Sequence, residues 1–130
     1  MTGALVLAVA MLPMLTRPLG QLDEKRFPSA EITAALGKDR AFHGDGEGGY
    51  LIYAECPDRL IYIDDRAELY GRELFEEYRD IRGGDYREAF ARWEIDVVMA
   101  QNGWSLTDVL AEDGWVIRES DDHFTVFGRP

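Results

Sequence analysis

The stretch LIYIDDRAELY, residues 60–70, decides the fold. Its first four residues form an unbroken apolar run, which is typical of a strand buried in a parallel sheet. Asp64, Asp65 and Arg66 follow at the carboxyl end of this predicted strand. From Glu68 to Ile81, apolar side chains then recur at helical spacing with charged residues between them. The stretch therefore predicts a strand followed by an amphipathic helix.

The same alternation continues on both sides of this unit. The pattern predicts helices over 27–36, 50–54, 68–81, 86–93 and 105–110, and strands over 40–43, 60–63, 96–100, 115–119 and 124–127. A Ser cap is predicted for the helix that starts at Ser105. The last two strands are close enough to form a hairpin. The predicted fold class is α/β: a three-layer sandwich with a mostly parallel sheet and an antiparallel C-terminal edge hairpin.

The chain divides into three segments. Residues 1–17 are an apolar segment, 18–26 a linker and 27–130 a soluble α/β domain. A spanning helix needs about 20 apolar residues, and the run is shorter than that. It also lacks the basic start and the cleavage site of a secretory signal. We interpret it as the remnant of a transmembrane helix; a buried or interfacial helix is the alternative.

The charge balance narrows the range of partners. The chain has 25 acidic and 14 basic residues, a net charge of −11 and a pI near 4.5. Binding to nucleic acid needs a basic patch, so no nucleic-acid partner is expected. The single cysteine, Cys56, cannot form an internal disulfide.

Polar residues follow two of the predicted strands. His43 ends the first, and Asp45 follows it with glycines as far as Gly49, while Asp64 and Arg66 come after the second. Ligands of open α/β sheets collect beyond the carboxyl ends of strands, so these residues are expected to share one cleft. The predicted ligand-binding residues are His43, Asp45, Gly48, Gly49, Tyr50, Asp64, Arg66 and Tyr70.

Two of these motifs allow more than one interpretation. The glycine-rich stretch 44–49 is either a phosphate cradle or a tight structural turn, and it lacks the lysine of a P-loop. The run 64–66 either holds a hard cation or sugar nucleotide, or has Asp64 capping the next helix while Arg66 pairs with a carboxylate. His43 and His123 do not form a ligand-spaced pair, and no nucleophile accompanies the acids. No catalytic residue, metal or cofactor is predicted.

An ordered set of motifs points to a family. These are Phe27-Pro28, Ala41-Phe42-His43, Gly48 to Tyr53, Ile61 to Arg66, Leu69-Tyr70-Gly71 and Trp115-Val116-Ile117. The set resembles the C-terminal soluble domain of bacterial multispanning membrane proteins of the glycosyltransferase-C type, which are similar to polyprenyl-phosphate-sugar transferases. The departures are His43 for an Asn, Glu47 for an aromatic residue, Tyr53 for a Trp and Asp65 for a Gly.

The resemblance implies a function without catalysis. In that class the catalytic acids lie in loops between transmembrane helices, so this domain is expected to be a non-catalytic extracytoplasmic module that docks a glycan or acceptor. The implied partners are the transmembrane part of the same or a neighbouring membrane protein, and a glycan or lipid-linked sugar. The implied location is the extracytoplasmic side of the cytoplasmic membrane. The alternatives are a small stand-alone metal-dependent enzyme using Asp64 and Asp65, and a structural or interaction domain without a ligand.

Overall fold

The computed structural model describes residues 27–130. The apolar segment and the linker, together residues 1–26, lie outside the described residues. The elements are α1 (Ala30–Ala35), β1 (Ala41–Phe42), α2 (Asp45–Glu55), α3 (Ala67–Arg82), α4 (Arg87–Trp93), β2 (Val97–Gln101), α5 (Ser105–Glu112), β3 (Val116–Ser120) and β4 (Phe124–Gly128). Over residues 27–130, no helix has the length and apolar character needed to cross a membrane.

The four strands form one open, mixed sheet in the order β1-β2-β4-β3. β1 pairs with β2 in parallel, while β2–β4 and β3–β4 are antiparallel. The mixed α/β class and the C-terminal hairpin are therefore confirmed. The mostly parallel sheet is not observed, because one pairing of the three is parallel.

The missing parallel strand is the one predicted over 60–63, which has no strand pairing. Ile63 is fully buried, but Leu60 is 75% exposed, so the apolar run is not buried throughout. The backbone N–H of Tyr62 donates to Nε2 of His43 at 3.0 Å, a side-chain bond. An apolar run of four residues does not by itself distinguish a strand from an irregular segment with one buried anchor.

The glycine-rich stretch is helical, so the predicted loop or cradle over 44–49 is corrected. Gly44 has extended backbone angles (φ −72°, ψ 157°), and α2 begins at Asp45 and runs through all the remaining glycines. Asp45 and Glu47 lie in its first turn, where acidic side chains stabilise the positive end of the helix dipole. Helix signals at the start of α2 thus outweigh the low helix propensity of glycine.

The other helices follow the predictions closely. Ser29 caps α1 by accepting the N–H of Ile32 at 3.2 Å. The helix predicted over 68–81 is α3, which is interrupted at Gly71 (φ 75°, ψ 169°). The cap of α5 was predicted wrongly: Trp104 occupies the N-cap position, and no side chain caps this end.

β2 carries the core on both of its faces. Val98 and Ala100 belong to a cluster with apolar residues of α3, α4 and α5. Val97 and Met99, which alternate with them, belong to a second cluster with residues of α1 and α2. Successive side chains of a strand point to opposite faces, so the two clusters lie on opposite faces of β2.

Candidate functional site

His43 is a buried structural histidine at the end of β1. Its Nδ1 lies 2.8 Å from the carbonyl oxygen of Gly44, and Nε2 accepts the N–H of Tyr62. This pairing requires the neutral tautomer with the proton on Nδ1. Burial lowers the pKa of His43 to about 4. Both ring nitrogens are engaged, so His43 joins β1 to the segment 60–66 and has no free nitrogen for a ligand.

Asp45 ties the start of α2 to α3. Its backbone N–H donates to the hydroxyl of Tyr78 at 3.1 Å, and that hydroxyl donates to Oδ1 of Asp45 at 2.8 Å. Tyr78 is fully buried, and its burial raises the pKa of the phenol. The hydroxyl of Tyr78 therefore satisfies the first N–H of α2 and also binds the side chain of Asp45.

Asp64 is buried and bound by Arg66. Its Oδ1 accepts the backbone N–H of Arg66 at 3.0 Å, and its Oδ2 lies 2.5 Å from Nη2 of the same residue. The hydrogen bonds from Arg66 lower the pKa of Asp64. Burial, and then the Asp64 carboxylate, raise the pKa of Tyr70. Arg66 occupies the N-cap position of α3, so Asp64 supports the helix start through Arg66 and is not itself the cap.

The Asp64–Arg66 arrangement bears on the metal alternative. Both oxygens of Asp64 are already bonded to the guanidinium group. Across the described part of the chain, no group of three or more His, Cys, Asp or Glu side chains is placed to hold a metal ion. Asp64 is therefore a structural anchor in this arrangement.

A cleft of about 680 Å³ opens beside this cluster, between α2 and the ends of β2 and β4. It is lined by Phe27, Gly46, Glu47, Gly49, Tyr50, Asp65, Gln101, Asn102, Asp122, His123 and Phe124. Of the predicted residues, Gly49 and Tyr50 line the cleft. His43, Asp45, Gly48, Asp64, Arg66 and Tyr70 do not line it. The predicted site thus splits into a structural cluster and an adjoining cleft.

Glu47 is the most unusual group of the cleft. It is only 3% exposed, and its Oε1 accepts a hydrogen bond from Nε2 of Gln101 at 2.8 Å. Its Oε2 has no partner among the described residues and occupies the space that a β-carbon on Gly44 would need. Burial raises the pKa of Glu47, because the charged form loses water without gaining a paired cation.

The rest of the cleft combines aromatic rings with fixed polar groups. The rings of Phe27 and Tyr50 lie 5.6 Å apart. Asn102 is held on both sides of its amide: Nδ2 donates to the carbonyl of Asp121, and Oδ1 accepts from Thr125, each at 2.8 Å. Such a site offers aromatic apolar surface next to oriented hydrogen-bonding groups.

Sequence reasoning missed most of the cleft. Glu47 and Gln101 are 54 residues apart, and no local pattern joins them. One signal was available: Gln101 and Asn102 follow the predicted strand 96–100, and ligands collect beyond strand ends. Asp122 and His123 lie in the hairpin turn and were interpreted only as a connection.

Comparisons with known proteins do not extend these observations. No protein-family model matches the chain, and no curated protein or solved structure matches it. The resemblance to the glycosyltransferase-C type therefore stays a prediction that rests on the motifs quoted above.

Proposed function

We propose that residues 27–130 form a non-catalytic module that docks a glycan or acceptor in the cleft between α2 and the ends of β2 and β4. The observation that carries this proposal is the lining itself, in which the Phe27–Tyr50 ring pair lies beside the Glu47–Gln101 pair. A sugar ring presents C–H groups on its faces and hydroxyls at its edge. Aromatic rings pack against the C–H faces of the sugar, and carboxyl and amide groups form hydrogen bonds with its hydroxyls.

Charge favours an uncharged or cationic sugar over an acidic one. Glu47, Asp65 and Asp122 line the cleft, and among residues 27–130 no lysine or arginine does so. An anionic ligand would be repelled by this lining and by the net charge of −11. A neutral hydroxyl group, by contrast, donates readily to a carboxylate or amide oxygen.

The absence of catalysis in this proposal is supported by three titratable groups that the fold already uses, none of which lines the cleft. Asp64 is bound by Arg66, and both nitrogens of His43 are engaged. Burial raises the pKa of the Tyr62 phenol to about 12, and its hydroxyl donates to Glu77 at 2.5 Å. These groups are fixed in the fold and poorly suited to exchanging protons with a substrate.

The membrane setting is part of the same proposal. The apolar segment 1–17 and the resemblance to glycosyltransferase-C proteins support a position on the extracytoplasmic side of the cytoplasmic membrane. The partners would be the transmembrane part of the same or a neighbouring protein, and a lipid-linked sugar. Extending the reading frame upstream of Met1 tests this part: hydrophobic spans in frame support it, and a strong ribosome site with a stop codon just upstream weakens it.

We also propose the three-layer arrangement of the predicted fold. The support is that apolar residues of α1 and α2 pack on one face of β2, while those of α3, α4 and α5 pack on the other. The cleft lies at one end of the sheet, where β2 ends and the hairpin turn lies.

Glycan docking is tested by binding measurements on the full chain with two tyrosine variants. Tyr50 lines the cleft, and Tyr53 lies on the same helix, is 83% exposed and does not line it. The full chain is screened against neutral, amino and acidic oligosaccharides, and the affinity of a binding oligosaccharide is then measured by calorimetry. Tyr50→Ala should weaken binding at least tenfold, while Tyr53→Ala should leave it unchanged. Binding that is lost equally in both variants, or no binding at all, contradicts the proposal.

A further inference from the structure

A second cavity lies between the end of α3 and the start of α5. Its volume is about 340 Å³. It is lined by Arg79, Arg82, Gly83, Gly103, Trp104 and Ser105. Two of these residues are cationic and none is acidic, in a chain whose net charge is −11. The cavity is thus a local basic site on an acidic protein.

Arg79 and Arg82 differ from the other arginines of residues 27–130 because they form no salt bridge. Over residues 27–130, salt bridges within 4.0 Å join eight other arginines to carboxylates. No such bridge within the same range involves Arg79 or Arg82. Acidic residues outnumber basic ones in this chain, so pairing is the usual state of its arginines. The cavity therefore holds two guanidinium groups that form no salt bridge with a described carboxylate.

Arg82 is also held in place by aromatic rings. Its guanidinium carbon lies 4.5 Å from the ring centroid of Trp104 and 5.4 Å from that of Tyr78. Stacking of this kind engages the face of the planar guanidinium and leaves the N–H groups at its edge able to donate. Arg79 lies three residues earlier on α3, so the two side chains project from neighbouring turns of one helix face.

Other donors add to the arginines. The Ser105 side chain lines the cavity and carries a hydroxyl, and no side chain caps the first turn of α5. The first backbone N–H groups of a helix have no partner within the helix. The arginines give the cavity its positive charge, and the Ser105 hydroxyl and the first backbone N–H groups of α5 are additional hydrogen-bond donors.

We propose that this cavity binds a phosphate group, with Arg79 and Arg82 as its two charged contacts. A phosphate presents several oxygens in the geometry that an arginine fork matches with two hydrogen bonds. The ligand chemistry is a phosphate monoester or diester, carried either by a membrane lipid headgroup or by a soluble molecule. This site is separate from the glycan cleft, with which it shares no lining residue.

The test uses the full chain and three charge-neutralising variants. Arg79→Gln and Arg82→Gln each remove a cavity arginine, and Arg72→Gln removes one charge from the same helix outside the cavity. Circular dichroism establishes that each variant is folded, and Arg82→Lys retains the charge if the neutral variant does not fold. Affinity for inorganic phosphate is measured by calorimetry at constant ionic strength, with chloride as the reference anion. Binding to vesicles of phosphatidylcholine, with and without phosphatidic acid, is measured by co-sedimentation.

Phosphate is expected to bind the wild-type chain and Arg72→Gln alike, with at least a tenfold loss of affinity in Arg79→Gln. A loss of binding to vesicles with phosphatidic acid in that variant supports the lipid source. Binding of inorganic phosphate without such vesicle binding supports the soluble source. The proposal is overturned if neither probe binds, or if Arg72→Gln loses as much affinity as Arg79→Gln.

Discussion

Gly48 lies so close to Ile63 that a β-carbon at Gly48 would overlap the carbonyl oxygen of Ile63 and lie 2.8 Å from Cα of Asp64. The contact fixes α2 against the segment that carries the Asp64–Arg66 pair. Gly48→Ala should therefore destabilise the protein by about 2 kcal/mol or more, because an inserted methyl group here meets backbone that cannot easily move. Urea unfolding of the full chain measures the change.

Gly49 provides the matched control, since a β-carbon there would meet no atom within 4 Å. Gly49→Ala replaces glycine inside α2 and should raise the free energy of unfolding by up to about 1 kcal/mol. Equal stability of the Gly48→Ala and Gly49→Ala variants would show that the close approach of α2 to Ile63 is wrong.

Because of His43, the protein is expected to lose stability in mild acid. Its folded pKa, about 4, lies below the ordinary value of 6.5, so the unfolded chain takes up the proton first as the pH falls. Stability should decline between about pH 6.5 and pH 4, by at most about 3 kcal/mol from this residue. Unfolding free energies at pH 7 and pH 4.5 measure the decline, which should be smaller in His43→Asn. An unchanged pH dependence in that variant rules out a neutral, buried His43.

Asp64 and Asp65 are expected to differ in their contribution to stability. Asp64 accepts the backbone N–H and the guanidinium of Arg66, so Asp64→Ala should lower the free energy of unfolding by about 1–3 kcal/mol. Asp65 is exposed and lines the cleft, so Asp65→Ala should change stability by less than about 0.5 kcal/mol. Thermal melts of both variants measure the two changes in stability. A larger loss in Asp65→Ala would indicate that the two acids have exchanged roles.

Glu47 is expected to make stability depend on pH in the direction opposite to His43. Its folded pKa is raised above the unfolded value, so the stability it contributes in acid is lost as the pH rises through the folded pKa. Glu47→Gln removes the buried charge while keeping the size of the side chain. The variant should gain stability relative to wild type at pH 7 to 8, and the gain should shrink toward pH 4. A gain that grows toward acid pH would contradict the raised pKa.

Long periodic segments of the fold could be predicted from the sequence. α3, α4, α5 and the β3–β4 hairpin show regular apolar spacing bounded by turn residues, and each was predicted within a few residues. α2 could not be predicted in full, because the glycines of its first turns indicate a loop, and the close approach to Ile63 that requires a glycine at position 48 is a contact between distant parts of the chain. The strand predicted over 60–63 was wrong. A segment with one buried residue and a strand with four buried residues show the same short apolar run in the sequence.

The candidate site was predictable only in part. His43 and the segment 60–66 are neighbours in the structure, since the hydrogen bond between His43 and Tyr62 joins the two. The cleft itself depends on contacts between residues far apart in the chain, such as Glu47 with Gln101, and local patterns do not carry such contacts.

Glycan docking in the cleft is tested most directly by backbone amide NMR. The full chain is titrated with a binding oligosaccharide, and the amide shifts are followed. If a glycan docks in the cleft, the shifted amides should cluster at Gly46, Gly49, Gln101, Asn102 and His123, which line it, and those of Gly83 and Gly103 should stay in place. Shifts confined to residues outside the cleft, or no shift with any oligosaccharide, would contradict docking in the cleft.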